Sequence, residues 1–73
     1  MNFLKLTELR LSIDGSIVEK IIYVNPTQIK EFYEVYQENF QMDLTRIYWA
    51  LGGFNATLVK ETAEEINHQL IAC

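Results

Sequence analysis

The chain is short of the residues that stabilise very small domains. It has 73 residues and one cysteine, Cys73, so no disulfide can form within it. Its one histidine, His68, follows Glu65 on the same stretch, and two such groups are too few for a structural metal site. Basic residues are sparse and scattered, at Lys5, Arg10, Lys20, Lys30, Arg46 and Lys60, against ten acidic ones, for a net charge of −4. Nucleic-acid binders carry a basic patch or stripe, so a nucleic-acid partner is not expected. No apolar run approaches the roughly 20 residues of a membrane span. Residues 1–6 are too short and alternate too soon for a signal peptide, and a cytoplasmic protein is the expectation. No G-x-x-x-x-G-K or G-x-G-x-x-G pattern offers a phosphate loop.

What is present is apolar. Hydrophobic residues make up 49% and aromatics 12%, enough to fold as a single domain over 1–73. A core of this size supplies only roughly 3–5 kcal/mol. With disulfide and metal set aside, self-association is the remaining aid.

Residues 45–66 organise the chain. Gly52-Gly53 reads as a two-residue hairpin turn. It pairs Leu51 with Phe54, Trp49 with Ala56 and Ile47 with Leu58, all on an inward face, with Arg46 and Tyr48 on the other. Thr62 and Glu65 then form a capping box for a helix over about 63–72, whose inner face is Ala63, Ile66, Asn67 and Leu70.

Upstream, Asp14-Gly15 marks another hairpin between strands at about 3–13 and 16–24. The apolar phase slips between Leu6 and Leu9. A β-bulge near Thr7-Glu8 would restore it, leaving Leu6 opposite Ile22, Leu4 opposite Val24 and an outer Arg10–Glu19 pair. Asn25-Pro26 breaks the chain, with Asn25 as a cap for one helical turn at 26–29. Residues 30–37 have helical spacing at Ile29, Phe32, Tyr33, Tyr36 and Phe40, yet their aromatic and β-branched content favours a strand, which is preferred. A loop over 38–43 follows. The fold class is α+β: a small antiparallel β-meander of about five strands, open or curled into a barrel, with one C-terminal helix.

Lys5-Leu6-Thr7, Asn25-Pro26, Gly52-Gly53 and Val59-Lys60-Glu61-Thr62, followed by Ala63-Glu64-Glu65-Ile66, occur together. In this the chain resembles the FlbD-type domains, small proteins encoded with bacterial flagellar genes, and similar short proteins of bacteria and phages. The resemblance implies a flagellum-related role and a bacterial or phage origin. It carries no catalytic residues over.

The chemistry of the side chains points the same way. Glu61, Glu64 and Glu65 complement a helix N-terminus without needing a ligand, and no hydroxyl has a visible His and Asp set. No enzyme, no cofactor and no metal are expected. One short helix cannot cover both faces of a five-stranded sheet. The uncovered face should hold Tyr23 and Tyr48, with either Phe32 and Tyr36 or Tyr33 and Val35; the candidate interface is Tyr23, Phe32, Tyr33, Tyr36 and Tyr48. The reading taken forward is a non-enzymatic protein-interaction module that forms a homo-oligomer, through the face in preference to an edge. The alternative is a small-ligand-binding or regulatory protein using the open end of the sheet.

Overall fold

The computed structural model describes residues 3–51 and 55–72. These form five antiparallel strands, β1 (Leu4–Leu11), β2 (Ile17–Val24), β3 (Ile29–Gln37), β4 (Met42–Trp49) and β5 (Ala56–Val59), and one helix, α1 (Ala63–Ala72). The strands make one open sheet in the order β2-β1-β5-β4-β3. The expected α+β class, five antiparallel strands with one C-terminal helix, is borne out and the sheet is not closed into a barrel, but the strands do not follow one another as a simple meander, because β5 pairs with β1 and separates the two hairpins. The sequence-consecutive β2 and β3 stand at opposite edges, and β5 fills the middle between the hairpins β1-β2 and β3-β4.

The first hairpin keeps one register from Leu4↔Val24 to Leu11↔Ile17. The bulge expected near Thr7-Glu8 is absent, because the extra residue sits in the turn. Ser12 accepts from the Gly15 amide at 3.0 Å and donates to the Ser16 carbonyl at 2.9 Å, which closes a three-residue loop over 13–15. Gly15 has φ 86°, the left-handed conformation such a loop needs after its type I turn. Arg10 therefore faces Val18 instead of Glu19. It pairs instead with Glu8 at 3.3 Å, two residues away on the same face of β1, while Glu19 pairs with Lys60 at 3.8 Å. Leu9 and Leu11 stand on the face opposite Leu4 and Leu6.

A bulge does occur in β3, where Ile29 pairs with Trp49 and Glu31 with Tyr48, leaving Lys30 extra. It puts Ile29 and Phe32 on one face although they are three apart. Before it, Pro26–Gln28 make a single 3₁₀ turn capped by the Asn25 side chain, which accepts from the Thr27 amide at 3.0 Å. The strand preferred for 30–37 is present. The following connection is a four-residue turn over 38–41, shorter than expected, so β4 starts at Met42.

The pairing of β4 with β5 differs from expectation by one residue. Ile47 faces Thr57 and Tyr48 faces Ala56, where Leu58 had been assigned to Ile47 and Ala56 to Trp49. A slip of one residue turns every side chain of a strand over. Thr57 and Val59 thus face the core, and Ala56 and Leu58 face away. Contacts at the far end of β5 fix this register. The Lys60 amide donates to the Thr7 carbonyl at 2.9 Å, and the Thr45 hydroxyl donates to the Glu61 carbonyl at 2.6 Å. At the other end, the Ala50 amide donates to the Gln28 carbonyl at 2.7 Å, which carries the β3–β4 pairing one residue past Trp49. The Gly52-Gly53 turn and Phe54 lie outside the described residues; Leu51, expected on the inward face, is instead exposed, standing beyond the end of β4.

Helix α1 packs on one face. Leu4, Leu6, Val24, Ile47, Val59 and Ile66 form the core, with Ile22, Ile29, Phe32, Trp49 and Leu70 against it. Trp49 is half-buried at the rim and donates from Nε1 to the Thr57 hydroxyl at 3.0 Å. Thr62 caps the helix, accepting from the Glu65 amide at 3.1 Å. The Ala63 amide is taken by Glu34 of β3 at 3.1 Å. Asn67 is exposed, and Gln69 reaches the sheet in its place.

Two solution measurements test these features. The Asp14 carboxylate accepts from the hydroxyls of Ser12 and Ser16 and from the Ser16 amide, which holds its pKa at about 2. A depressed carboxylate stabilises the fold above its unfolded pKa, and that contribution goes as pH falls through the folded value. Wild type should therefore exceed Asp14→Asn by a constant margin near neutral pH. The margin should shrink between about pH 4 and pH 2, as read from urea unfolding at each pH.

Glu61 accepts from the Thr7 amide at 2.7 Å and the Thr7 hydroxyl at 2.9 Å. Glu61→Ala leaves that part-buried amide without a partner and should cost about 1–3 kcal/mol in urea unfolding, with Glu61→Gln costing less.

Candidate interface on the open sheet face

Strand alternation assigns the face away from α1. It carries Ile17, Glu19, Ile21 and Tyr23 from β2, and Lys5, Thr7, Leu9 and Leu11 from β1. Ala56 and Leu58 come from β5, Leu44, Arg46 and Tyr48 from β4, and Glu31, Tyr33 and Val35 from β3. Leu9 and Leu44 are buried there, outside the main core. The Lys60–Glu19 ion pair spans from the end of β5 to β2, across the position of Leu9. A lysine stem lying over an apolar residue shields it while its charge stays in water. Leu44 stands opposite Val35, which with Leu58 is half-buried.

At one end of this face lies a polar aromatic cluster. Tyr33 stands opposite Arg46 and Tyr48 opposite Glu31, so the two tyrosines meet on the diagonal. Their rings stack at 5.6 Å and 24°, and the Tyr33 hydroxyl donates to the Tyr48 hydroxyl at 3.0 Å. Arg46 donates from Nη1 to the same oxygen at 3.3 Å. The Tyr48 phenol is thereby lowered from its ordinary pKa, first by the Tyr33 bond and then by Arg46. Tyr33 is raised because its proton is held in that bond. Arg46 is raised by its bond to Tyr48. At the other end, Ile17, Ile21 and Tyr23 are exposed along β2.

The structure thus divides the five interface candidates. Tyr23, Tyr33 and Tyr48 share the open face, and of these Tyr33 and Tyr48 touch. Phe32 packs against the core, and Tyr36 stands exposed on the helix-bearing side opposite Asp43. Arg46 was legible as a same-face neighbour of Tyr48. Its partner Tyr33 was not, because that contact depends on the β3–β4 register.

Elsewhere, Thr62, Glu64, Glu65, His68 and Gln69 line a solvent-open depression beside the helix, and residues 11–14 line another. Among the described residues no three or more His, Cys, Asp or Glu side chains gather as a metal site would require. No described helix is long and apolar enough to cross a membrane. No protein-family model, no curated protein and no solved structure matches the chain.

The hydroxyl chain has a spectroscopic consequence. Tyr33→Phe removes the donor that favours the Tyr48 phenolate, so the Tyr48 pKa should rise. Ultraviolet phenolate titration of wild type and variant reads this directly, and an unmoved lowest phenol titration contradicts the bond.

Proposed function

We propose that the chain is a non-enzymatic protein-interaction module that self-associates and presents the helix-free face of its sheet to protein partners. A bacterial or phage setting, including a flagellum-related one, belongs to this reading through the FlbD-type resemblance, and a cytoplasmic location through the composition of the chain. The observation that supports it is the open face itself. It joins buried leucines, exposed isoleucines and a stacked tyrosine pair, with charges at Lys5, Glu19, Glu31 and Arg46, and no described element covers it. Tyrosine suits such a surface, offering apolar area with a polar tip that tolerates partial wetting. The two depressions, one beside the helix and one at the first turn, are open to solvent and do not enclose a small ligand, which favours this reading over the alternative.

Light scattering at micromolar concentration tests self-association. A dimer mass is expected. Tyr23→Glu, on the open face at the sheet margin, should shift it toward monomer, and Arg10→Glu on the opposite face of the first hairpin should disturb it less. A monomeric wild type overturns self-association.

A further inference from the structure

The bonding phase of the first hairpin decides which peptide groups of β2 are free. On β1, the peptide groups of Lys5 and Thr7 turn toward the β5 side. The Lys5 amide and carbonyl bond the Gln69 side chain at 3.0 and 3.1 Å, and the Thr7 carbonyl accepts from Lys60. The even residues of β1 therefore bond β2, and their partners in the register are even as well. This leaves Ile17, Glu19, Ile21 and Tyr23 with their N–H and C=O groups directed off the outer edge of the sheet.

The two edges of the sheet are unlike. Edge strand β3 carries Lys30, Glu31 and Glu34 and is kinked by its bulge, devices that discourage pairing with another strand. Edge strand β2 is regular over eight residues and has neither proline nor bulge. Its Ile17, Val18, Ile21 and Tyr23 are 45–67% exposed. Glu19 and Lys20 are its only charges.

We infer that a second copy of this chain adds to the sheet through β2, antiparallel, about a two-fold axis at Ile21. The inference rests on the self-association proposed above and replaces a face-to-face contact with an edge contact. The hydroxyls of Tyr33 and Tyr48 are already engaged with each other and Arg46, whereas the outward peptides of β2 have no partner among the described residues. Electrostatics and strand overlap select the register, since centring on Val18, Ile22 or Tyr23 would leave fewer residues of β2 paired. A two-fold perpendicular to the sheet pairs residues of equal parity. Centring on Glu19 or Lys20 would set like charges directly opposite each other, which destabilises. Centring on Ile21 pairs it with itself, sets Glu19 against Tyr23 and Lys20 against Ile22, and pairs Val18 with Val24. The contact uses the same edge of both copies, so it closes at a dimer. The product is a ten-stranded sheet with both helices on one side and a single open face of doubled area on the other.

Proline at position 21 tests the backbone bonds, since its missing N–H points away from β1 and edge strands tolerate proline there. By symmetry Ile21→Pro removes both central bonds, and the dimer Kd should rise at least about tenfold. Tyr48→Glu, three strands from the axis, should leave Kd unchanged. In a Cys73→Ser background, Ile21→Cys should form a covalent dimer under mild oxidation and Tyr48→Cys should not, since paired strand positions fall within disulfide reach. The second pair decides the matter if circular dichroism shows Ile21→Pro unfolded. A dimer that survives Ile21→Pro, is weakened by Tyr48→Glu, or crosslinks through Tyr48→Cys and not Ile21→Cys overturns the edge while leaving self-association standing. A monomeric wild type overturns both.

Discussion

The two halves of this sheet meet along a seam that has almost no strand pairing. Strand β5 is four residues long and shares one register pair with β1, Glu8↔Val59. Beyond it, the inner edge of β1 would be left with bare peptide groups beside the core, at a cost comparable to lost hydrogen bonds. The segment after β5 supplies the missing partners one at a time. The Lys60 amide meets the Thr7 carbonyl, the Glu61 carboxylate meets the Thr7 amide, and the Gln69 amide group meets both peptide groups of Lys5. A glutamine side chain has the same donor and acceptor as a peptide, so here it stands in for the next residue of a strand. The same segment opens the helix that caps the core with Ile66. The join between hairpins and the cover over the core are therefore one structure, and neither forms fully without the other.

Local signals in the sequence were legible where they act locally. The Asn25 cap, the Thr62 cap, the strand over 30–37 and the C-terminal helix each rest on residues within a few positions of one another, and all are present. Registers were less legible. The Asp14-Gly15 turn was assigned two loop residues and takes three, because the serines on both sides bond Asp14 and each other across it. That one residue removes the bulge near Thr7-Glu8 and moves Leu9 to the open face. Counting outward from Gly52-Gly53 does not give the register of β5, because contacts of residues 60 and 61 with Thr7 and Thr45 determine it. Those partners lie far away in sequence, and no periodicity in a single strand encodes them.

The same limit governed the candidate surface. Placing Arg46 and Tyr48 on one face needed only alternation along a strand. Choosing Tyr33 over Phe32 as their companion needed the Lys30 bulge, which shifts the phase of β3 between Ile29 and Phe32. Phe32 is then drawn into the core, and the residue beside it becomes a surface group. A single inserted residue thus decides which aromatic stabilises the fold and which is offered to solvent.

That division follows from size. A short helix can cover one side of a five-stranded sheet, and here it covers the side where Leu4, Leu6, Ile47 and Val59 converge. The opposite side must limit its own exposure, and it does so with Leu9 and Leu44 low in the sheet, an ion pair reaching across the first and tyrosines bonded to each other near the second. Beyond them β2 remains an apolar strip at the margin, with outward peptides that have no partner among the described residues. Closing the sheet into a barrel would have required β2 and β3 to meet, but the charges and bulge of β3 make its outer edge a poor partner for a further strand. A chain with no internal crosslink thus keeps one protected edge and one bare edge, an asymmetry that, under the edge pairing proposed above, would limit growth to a single added copy.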